Sequence, residues 1–184
     1  MENFFFKYPA SLASRFRITF YRFLGMRIGK KNRLEGGRFR RAKNITIGYG
    51  NALSHGYQLW PIDEPSYVNR IAIGNHNYFN RSIMIDACGA ITIGDYNMFG
   101  PDVYITDSNH TFGPGISPGK SKMNSGTVHI GNHCWIGAKV VILKDVSIGD
   151  YCVIGAGSVV TKSFPRGCVV AGVPAKLIRQ NQVS

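Results

Sequence analysis

The chain has 184 residues, 44% of them apolar, four cysteines and a net charge of +12. That length suits one domain with a short appendage, and neither a signal peptide nor an apolar run long enough to span a bilayer is evident, so a cytoplasmic location is expected. The charge is lopsided: residues 1–43 hold twelve Lys/Arg against Glu2 and Glu35, while the remainder holds ten basic and eight acidic groups. The chain therefore divides into a basic, aromatic-rich arm, 1–43, and a nearly neutral domain, 44–184.

Residues 1–10 form an apolar lead with Phe4, Phe5, Phe6 and Tyr8 before Pro9. Ser11 suits the cap of a helix that runs to about Leu24 and stops at Gly25. Leu12, Phe16, Phe20, Phe23 and Leu24 recur at helical spacing, with Arg15, Arg17 and Arg22 on the other sides. The first role for this helix is to pack on the domain that follows, its arginines solvated. A compatible second role is to rest on an anionic membrane surface at the inner face of the membrane, aromatics inserted and arginines on the headgroups. Nucleic-acid binding would use the same residues, but no recognition motif accompanies them and it is not expected.

From Ile28 to Val68 a six-residue step is irregular, kept by Ile47, Leu53 and Leu59, and the Trp60–Pro65 segment breaks phase as an inserted loop. Regularity returns with Ile73, Phe79 and Ile85, then resets by two residues to Ile93, Phe99 and Ile105. Residues 106–129, rich in Gly, Ser, Asn and Pro, leave the pattern in one long excursion, and long loops in compact domains are commonly functional.

The pattern is plainest from Ile130 onward, where Ile130, Ile136, Ile142, Ile148, Ile154 and Val160 recur every sixth residue. Glycine follows four of them (Gly131, Gly137, Gly149, Gly155), and a smaller residue lies four positions on, at Cys134, Val140, Val146, Cys152 and Ser158. Neither a helix nor a flat strand produces this period. Short strands joined by tight glycine corners do, three to a triangular coil, with coils stacked roughly 4.8 Å apart. Cys134 and Cys152, eighteen residues apart, then stack inward on neighbouring coils. That favours buried, inert thiols in a reducing compartment over a disulfide or a catalytic pair.

The run WIGAKVVILKDVSIGDYCVIGAGSVVTKSFPRGCVVAGVPAKLIR, Trp135 to Arg179, resembles the hexapeptide-repeat acyltransferases, in particular the sugar O-acetyltransferases of the galactoside, maltose and polysaccharide-biosynthesis type. The resemblance implies a mainly β chain wound as a left-handed parallel β-helix of about five coils, with the short N-terminal helical arm and the one excursion loop. It also implies a homotrimer with sites between subunits, and transfer of acetyl from acetyl-CoA, without a metal, to a sugar or lipid-linked sugar acceptor in polysaccharide or glycolipid biosynthesis.

On the same resemblance His110, at the start of the excursion, is the general base of a direct, ternary-complex transfer. A neutral imidazole suits this work because it titrates near the working pH. Read alone, His110 is better taken as a loop histidine with a structural hydrogen bond, and only the flanking repeat and loop turn the reading towards a base; the other four histidines fit surface or corner positions. Ala138 and Ala156, eighteen apart and outward, stack to leave a groove for the pantetheine arm, with a backbone N–H near Ala138 for the oxyanion. Trp135 faces outward beside them, against the coenzyme by resemblance or against another subunit. Thr161, Lys162, Lys176 and Arg179 match family positions near the adenosine and phosphates; the last two equally suit a solvated tail. Asn80 and Asp86, at corners one coil before His110, match acceptor-holding positions and equally serve turn backbone. The alternatives are a γ-type carbonic anhydrase, which needs three histidines on zinc, and a non-enzymatic β-helix scaffold, which needs no histidine-bearing loop.

Overall fold

The computed structural model describes residues 12–62 and 70–181. The apolar lead, Ser11 and residues 63–65 of the inserted loop lie outside the described residues. Helix α1 (Leu12–Phe23) is followed by turns of chain that each add one short parallel strand to each of three sheets. The first face stacks Arg27–Ile28, Ile45–Ile47, Ile71–Ile73, Ala90–Ile93, Thr127–Ile130 and Ser147–Ile148. The second stacks Arg33–Leu34, Ala52–Leu53, Tyr78–Phe79, Met98–Phe99, Trp135–Ile136 and Val153–Ile154, and ends in the antiparallel hairpin Cys168–Gly172 and Ala175–Gln180. The third stacks Arg38–Phe39, Gln58–Pro61, Met84–Ala87, Tyr104–Thr106, Val141–Ile142 and Val159–Val160.

These strands make six coils where about five were expected. The first begins at Arg27, inside the stretch assigned to the arm. Its inward Ile28 and Leu34 keep the step of six, but Phe39 follows after five and cations fill the outward positions, so the run reads as charge. Trp60 and Pro61 likewise belong to a strand and not to the inserted loop. The excursion is narrower than expected, since Thr106 and Thr127 are both in strands of the coil. Ile93 pairs with Ile130 across it, and Ile130 pairs with Ile148 one coil on.

The periodic aliphatics do what their spacing demands. Ile45, Ile71, Ile91, Ile105, Ile130, Ile136, Ile142 and Ile148 are all completely buried. Phe79 and Phe99 stack inside the prism with centroids 4.5 Å apart.

Glycine acts differently from the corner role expected of it. Gly94 has no left-handed backbone, but a Cβ there would lie 2.5 Å from Asn132 Oδ1 and 2.7 Å from the Gly131 oxygen of the next coil. A Cβ on Gly137 would lie 2.6 Å from the Ala156 nitrogen. These positions are glycine because coils stack through them. The left-handed turns are shared between other glycines, such as Gly50 (φ 69°) and Gly157 (φ 71°), and side-chain-bearing residues such as His76 (φ 56°), Tyr96 (φ 59°), His133 (φ 56°) and Tyr151 (φ 59°). That backbone is costly for an L-residue, and here the side chains offset it by stacking. The His76–Tyr96, Tyr96–His133 and His133–Tyr151 centroids lie 4.8, 5.0 and 4.9 Å apart. His76 and His133 are thus corner residues; His129 meets Thr92 Oγ1, and His55 pairs with Glu35.

Beside this column runs a buried polar ladder that the sequence reading passed over. Asn32, Asn51, Asn77 and Asn97 are each at most 3% exposed, in the inward place that Cys134, Cys152 and Cys168 take in later coils. Asn77 Nδ2 donates to Asn51 Oδ1 (3.0 Å) and to the Gly94 oxygen (2.8 Å), while its Oδ1 accepts from Asn97 N (2.8 Å). The cysteines continue the pattern: Cys134 Sγ donates to the Gly149 oxygen (3.2 Å) and Cys152 Sγ to the Pro165 oxygen (3.1 Å). These thiols are inert for a physical reason. Burial pushes Cys134 up to about 12, and its proton is engaged in joining coils.

Helix α1 closes the open end of the stack. Ser14, Ile18 and Tyr21 are its buried side. Ser14 Oγ accepts from Leu34 N (2.9 Å), Arg17 donates to the Leu34 oxygen, and Arg22 donates to the Ile28 and Gly29 oxygens (2.8 and 2.7 Å). The cap satisfies backbone groups that a terminal coil would leave open to strand addition. This corrects the expected orientation: Leu12, Phe16, Phe20, Phe23 and Leu24 face away from the coil, and two of the three arginines are structural.

Asn77→Leu removes a buried donor and acceptor and strands the partners on both sides. It should cost about 2–4 kcal/mol in denaturant unfolding. Asn77→Cys, which restores the donor found at Cys134, should cost less; a larger loss for Cys than for Leu would mean that the position contributes volume and not hydrogen bonds.

Candidate functional site

A groove of about 460 Å³ runs along the second face and round its edge towards the third. Its floor is the outward column Tyr78, Met98, Trp135 and Val153, stacked in register; its side is Asn80, Gly100, Gly137, Ala138, Gly155 and Ala156. The same close stacking that requires Gly137 and Gly155 keeps this side low. Trp135 and Ala156 are exposed and Ala138 half-buried. Tyr78, Met98 and Val153 were not singled out in the sequence, although each follows an inward ladder residue as Trp135 does.

Two of the four candidate cations and polar groups for the coenzyme tail lie on the groove's own sheet. Lys176 and Arg179 are exposed on the closing hairpin, opposite Ala171 and Val169. Val169 pairs with Val153 of the groove floor. Thr161 and Lys162 instead leave the last strand of the third face, with Lys162 Nζ 5.8 Å from the Phe164 ring centroid.

His110 comes off the third face. After Thr106 the chain forms a two-stranded ribbon, Ser108–His110 against Met123–Ser125. His110 is exposed, with Nδ1 3.1 Å from the Pro118 oxygen. A carbonyl can only accept, so Nδ1 carries a proton, and in the neutral ring the lone pair is then on Nε2. The loop therefore sets the tautomer a proton acceptor needs.

Asp107 ties the base of this loop to the prism. Its carboxylate accepts from Cys88 N (2.7 Å) and Gly89 N (2.9 Å), and its carbonyl accepts from Gly126 N (2.7 Å). Buried Arg70 donates to the Cys88 oxygen. The two extra residues before Ile91, which shift the repeat, are this Cys88–Gly89 turn. Burial pushes Asp107 up to about 6, opposed by the Cys88 and Gly89 N–H groups and by Arg70.

Asn80 lies at a corner as expected, but Asp86 does not. Asn80 follows a second-face strand, lines the groove and accepts from Arg81 N (2.8 Å). Asp86 lies within the third-face strand Met84–Ala87, between Trp60 and Thr106, and meets Tyr104 Oη at 3.3 Å. Burial raises its carboxyl above the ordinary range against the pull of Tyr104 and Arg40. Arg40 lies over the Trp60 ring at 5.2 Å, so an acid, a cation and two aromatics share that face. Among the described residues no three His, Cys, Asp or Glu side chains converge as metal ligands.

The bacterial transferase hexapeptide family, of six repeats, matches residues 127–162. A Dictyostelium discoideum protein named as an acetyltransferase is 38% identical over 144 residues, 75% of this chain and 72% of its own length. The chain belongs to the hexapeptide-repeat acetyltransferase family. Galactoside O-acetyltransferase of Escherichia coli K12 is 41% identical over 115 residues, 62% of this chain and 56% of that protein, so the chain spans little more than half of this relative. A galactoside acetyltransferase structure in complex with coenzyme A superposes with a TM-score of 0.66 at 28% identity, covering 95% of this chain and 74% of that one. The coil of this family is a left-handed parallel β-helix, the reverse of the usual crossover hand.

The raised Asp107 carboxyl has a testable sign. The unfolded chain releases this proton near 3.8 and the folded chain near 6. Its contribution to stability is therefore full below pH 4 and is lost as pH rises through about 6. In urea titrations at stepped pH, the stability of the wild type relative to Asp107→Asn should fall across that interval. A constant difference would place the Asp107 titration elsewhere.

Proposed function

We propose that the protein transfers an acetyl group from acetyl-CoA to a sugar hydroxyl, with His110 as general base. The observation that carries this reading is the Nδ1 contact of His110 with the Pro118 oxygen, which leaves Nε2 as the acceptor. In the proposed reaction Nε2 takes the hydroxyl proton as the sugar oxygen attacks the thioester carbonyl. The tetrahedral intermediate collapses with loss of the coenzyme thiolate, and the imidazolium returns the proton to sulfur. Both substrates are bound together, and no acyl-enzyme forms.

The pantetheine arm lies in the groove beside Trp135, Ala138 and Ala156, with a backbone N–H near Ala138 towards the oxyanion. Lys176 and Arg179, with Thr161 and Lys162, serve the phosphates and adenosine. The sugar reading is supported by the galactoside acetyltransferase relatives, and it extends to lipid-linked or polysaccharide precursors. Asp86, with Trp60 and Arg40 on the same face, orients the acceptor; Asn80 contributes from the groove.

One chain alone does not bring these parts together. The groove lies on the second face, and His110 leaves the third face at its far edge, where the coil turns back to the first. A three-fold assembly with parallel prisms sets the second face of one copy against the third face of the next, completing three sites per trimer. Sedimentation should give a trimer; a fully active monomer would overturn this arrangement.

His110→Ala should lower kcat by about 10²–10⁴-fold, with acetyl-CoA affinity by calorimetry within a few-fold of the wild type. Ala156→Leu should do the opposite, weakening acetyl-CoA binding in a chain that still folds. Near-normal turnover in the first variant would remove His110 as the base, and unchanged affinity in the second would move the coenzyme off this face.

A further inference from the structure

The cap helix has an outer face that a cap should not have. Terminal elements of stacked-repeat proteins usually present polar residues outward, because nothing further stacks on them. Here Leu12, Phe16, Phe20 and Phe23 are 74%, 72%, 56% and 85% exposed. At 100° per residue these four fall within one stripe, opposite buried Ser14, Ile18 and Tyr21. A contiguous run of large apolar side chains on a surface marks a place of contact. The stripe plays no part in holding the helix to the coil, since that is done by the buried side, Arg17 and Arg22.

The surroundings say what kind of surface it meets. Residues 12–43 hold eleven Lys/Arg and a single acid, Glu35. Nine of those cations are exposed: Arg15, Arg22, Arg27, Lys30, Lys31, Arg38, Arg40, Arg41 and Lys43. They belong to the cap, to the first coil and to the link to the second, the three elements nearest the closed end. Lys43 packs its stem beside Gly25 at the end of α1. Two such ends brought face to face would set cations against cations around the aromatic contact, which disfavours a second copy as the occupant. An anionic bilayer accepts both parts at once, aromatics into the acyl boundary and cations onto the phosphates. Among the described residues no helix is long and apolar enough to cross a membrane, and α1 has 12 residues, so a bilayer contact made by α1 would be interfacial.

We propose that the capped end of the prism docks on an anionic lipid surface through Leu12, Phe16, Phe20 and Phe23, ringed by the cations of the first coil. This revises the membrane role expected of Arg15, Arg17 and Arg22. Arg17 and Arg22 hold the cap, and the aromatic stripe makes the insertion. The docking surface stands on its own geometry; only its use, presenting a lipid-linked acceptor, rests on the acetyltransfer reading.

The test is co-sedimentation of the full chain with vesicles of phosphatidylglycerol and phosphatidylcholine in equal parts, and with phosphatidylcholine alone. No coenzyme or sugar is present, so failure of the acetyltransfer reading would leave the result intact. Binding to the mixed vesicles is expected at low salt. It should weaken several-fold as the Debye length shrinks from about 10 Å at 0.1 M to about 3 Å at 1 M. Phe16→Ser combined with Phe20→Ser should reduce partitioning about tenfold or more, with helix content and sedimentation coefficient unchanged. Phe23→Ser alone, at the most exposed position, serves where the double variant unfolds and should lose several-fold. Arg15→Gln with Lys30→Gln and Lys43→Gln should flatten the salt dependence. No wild-type binding at low salt, or equal binding to uncharged vesicles, would overturn the proposal. A drop in oligomer mass in the Phe variants would reassign the stripe to contact between copies.

Discussion

Gly94 and Gly131 lie one above the other where two coils meet, and a single added methyl group at Gly94 would come within 2.7 Å of the Gly131 oxygen. The molecule depends on that close approach. Parallel strands can pair along all three faces only if the corners between them stack at the strand spacing, near 4.8 Å. Where corners carry side chains, those must also repeat at that spacing, and the Tyr–His column and the Asn–Cys ladder are two solutions. One stacks flat rings at 4.8–5.0 Å. The other passes hydrogen bonds from coil to coil through the interior. Both convert a geometric necessity into attraction.

The same stacking builds the groove. Gly100, Gly137 and Gly155 leave one edge of the second face without side chains, while Met98, Trp135 and Val153 stand in register beside it. A mostly apolar groove with backbone along one side results. His110 lies outside the repeat, on the two-stranded ribbon of the excursion. Asp107 with the Cys88–Gly89 turn anchors the excursion where it leaves the third face. Rigid scaffold and positioned loop are thus divided between coil and excursion.

A stack of coils has two ends, and each is closed by structure outside the repeat. At one end the Cys168–Gly172 and Ala175–Gln180 hairpin turns antiparallel on the second face. At the other, α1 lies across the first coil and its Arg17 and Arg22 accept the role of a missing strand, donating to carbonyls that would otherwise face solvent or another chain. Like any cap made of a single amphipathic helix, α1 has two sides, and only one is consumed by the coil.

What was legible in the sequence is local and periodic. The aliphatics from Ile130 to Val160 state their inward direction by recurring every six residues, and the outward places of Trp135, Ala138 and Ala156 follow by counting from them. Cys134 and Cys152 were placed correctly for the same reason. The same count puts Asn32, Asn51, Asn77 and Asn97 four residues after Ile28, Ile47, Ile73 and Ile93, but it does not show how they are accommodated, because a buried asparagine is tolerable only when neighbouring coils supply its partners. Nor could it decide which side of α1 is buried. Both sides carry apolar residues, and the choice falls to Ser14, Arg17 and Arg22, whose partners are carbonyls and an amide made available only once the first coil exists. Tertiary structure likewise separated Asn80 from Asp86 onto two faces and gave His110 its proton on Nδ1, through a carbonyl eight residues away. Periodicity specifies direction along a repeating chain; hydrogen-bond partners that meet only on folding specify everything that departs from the repeat.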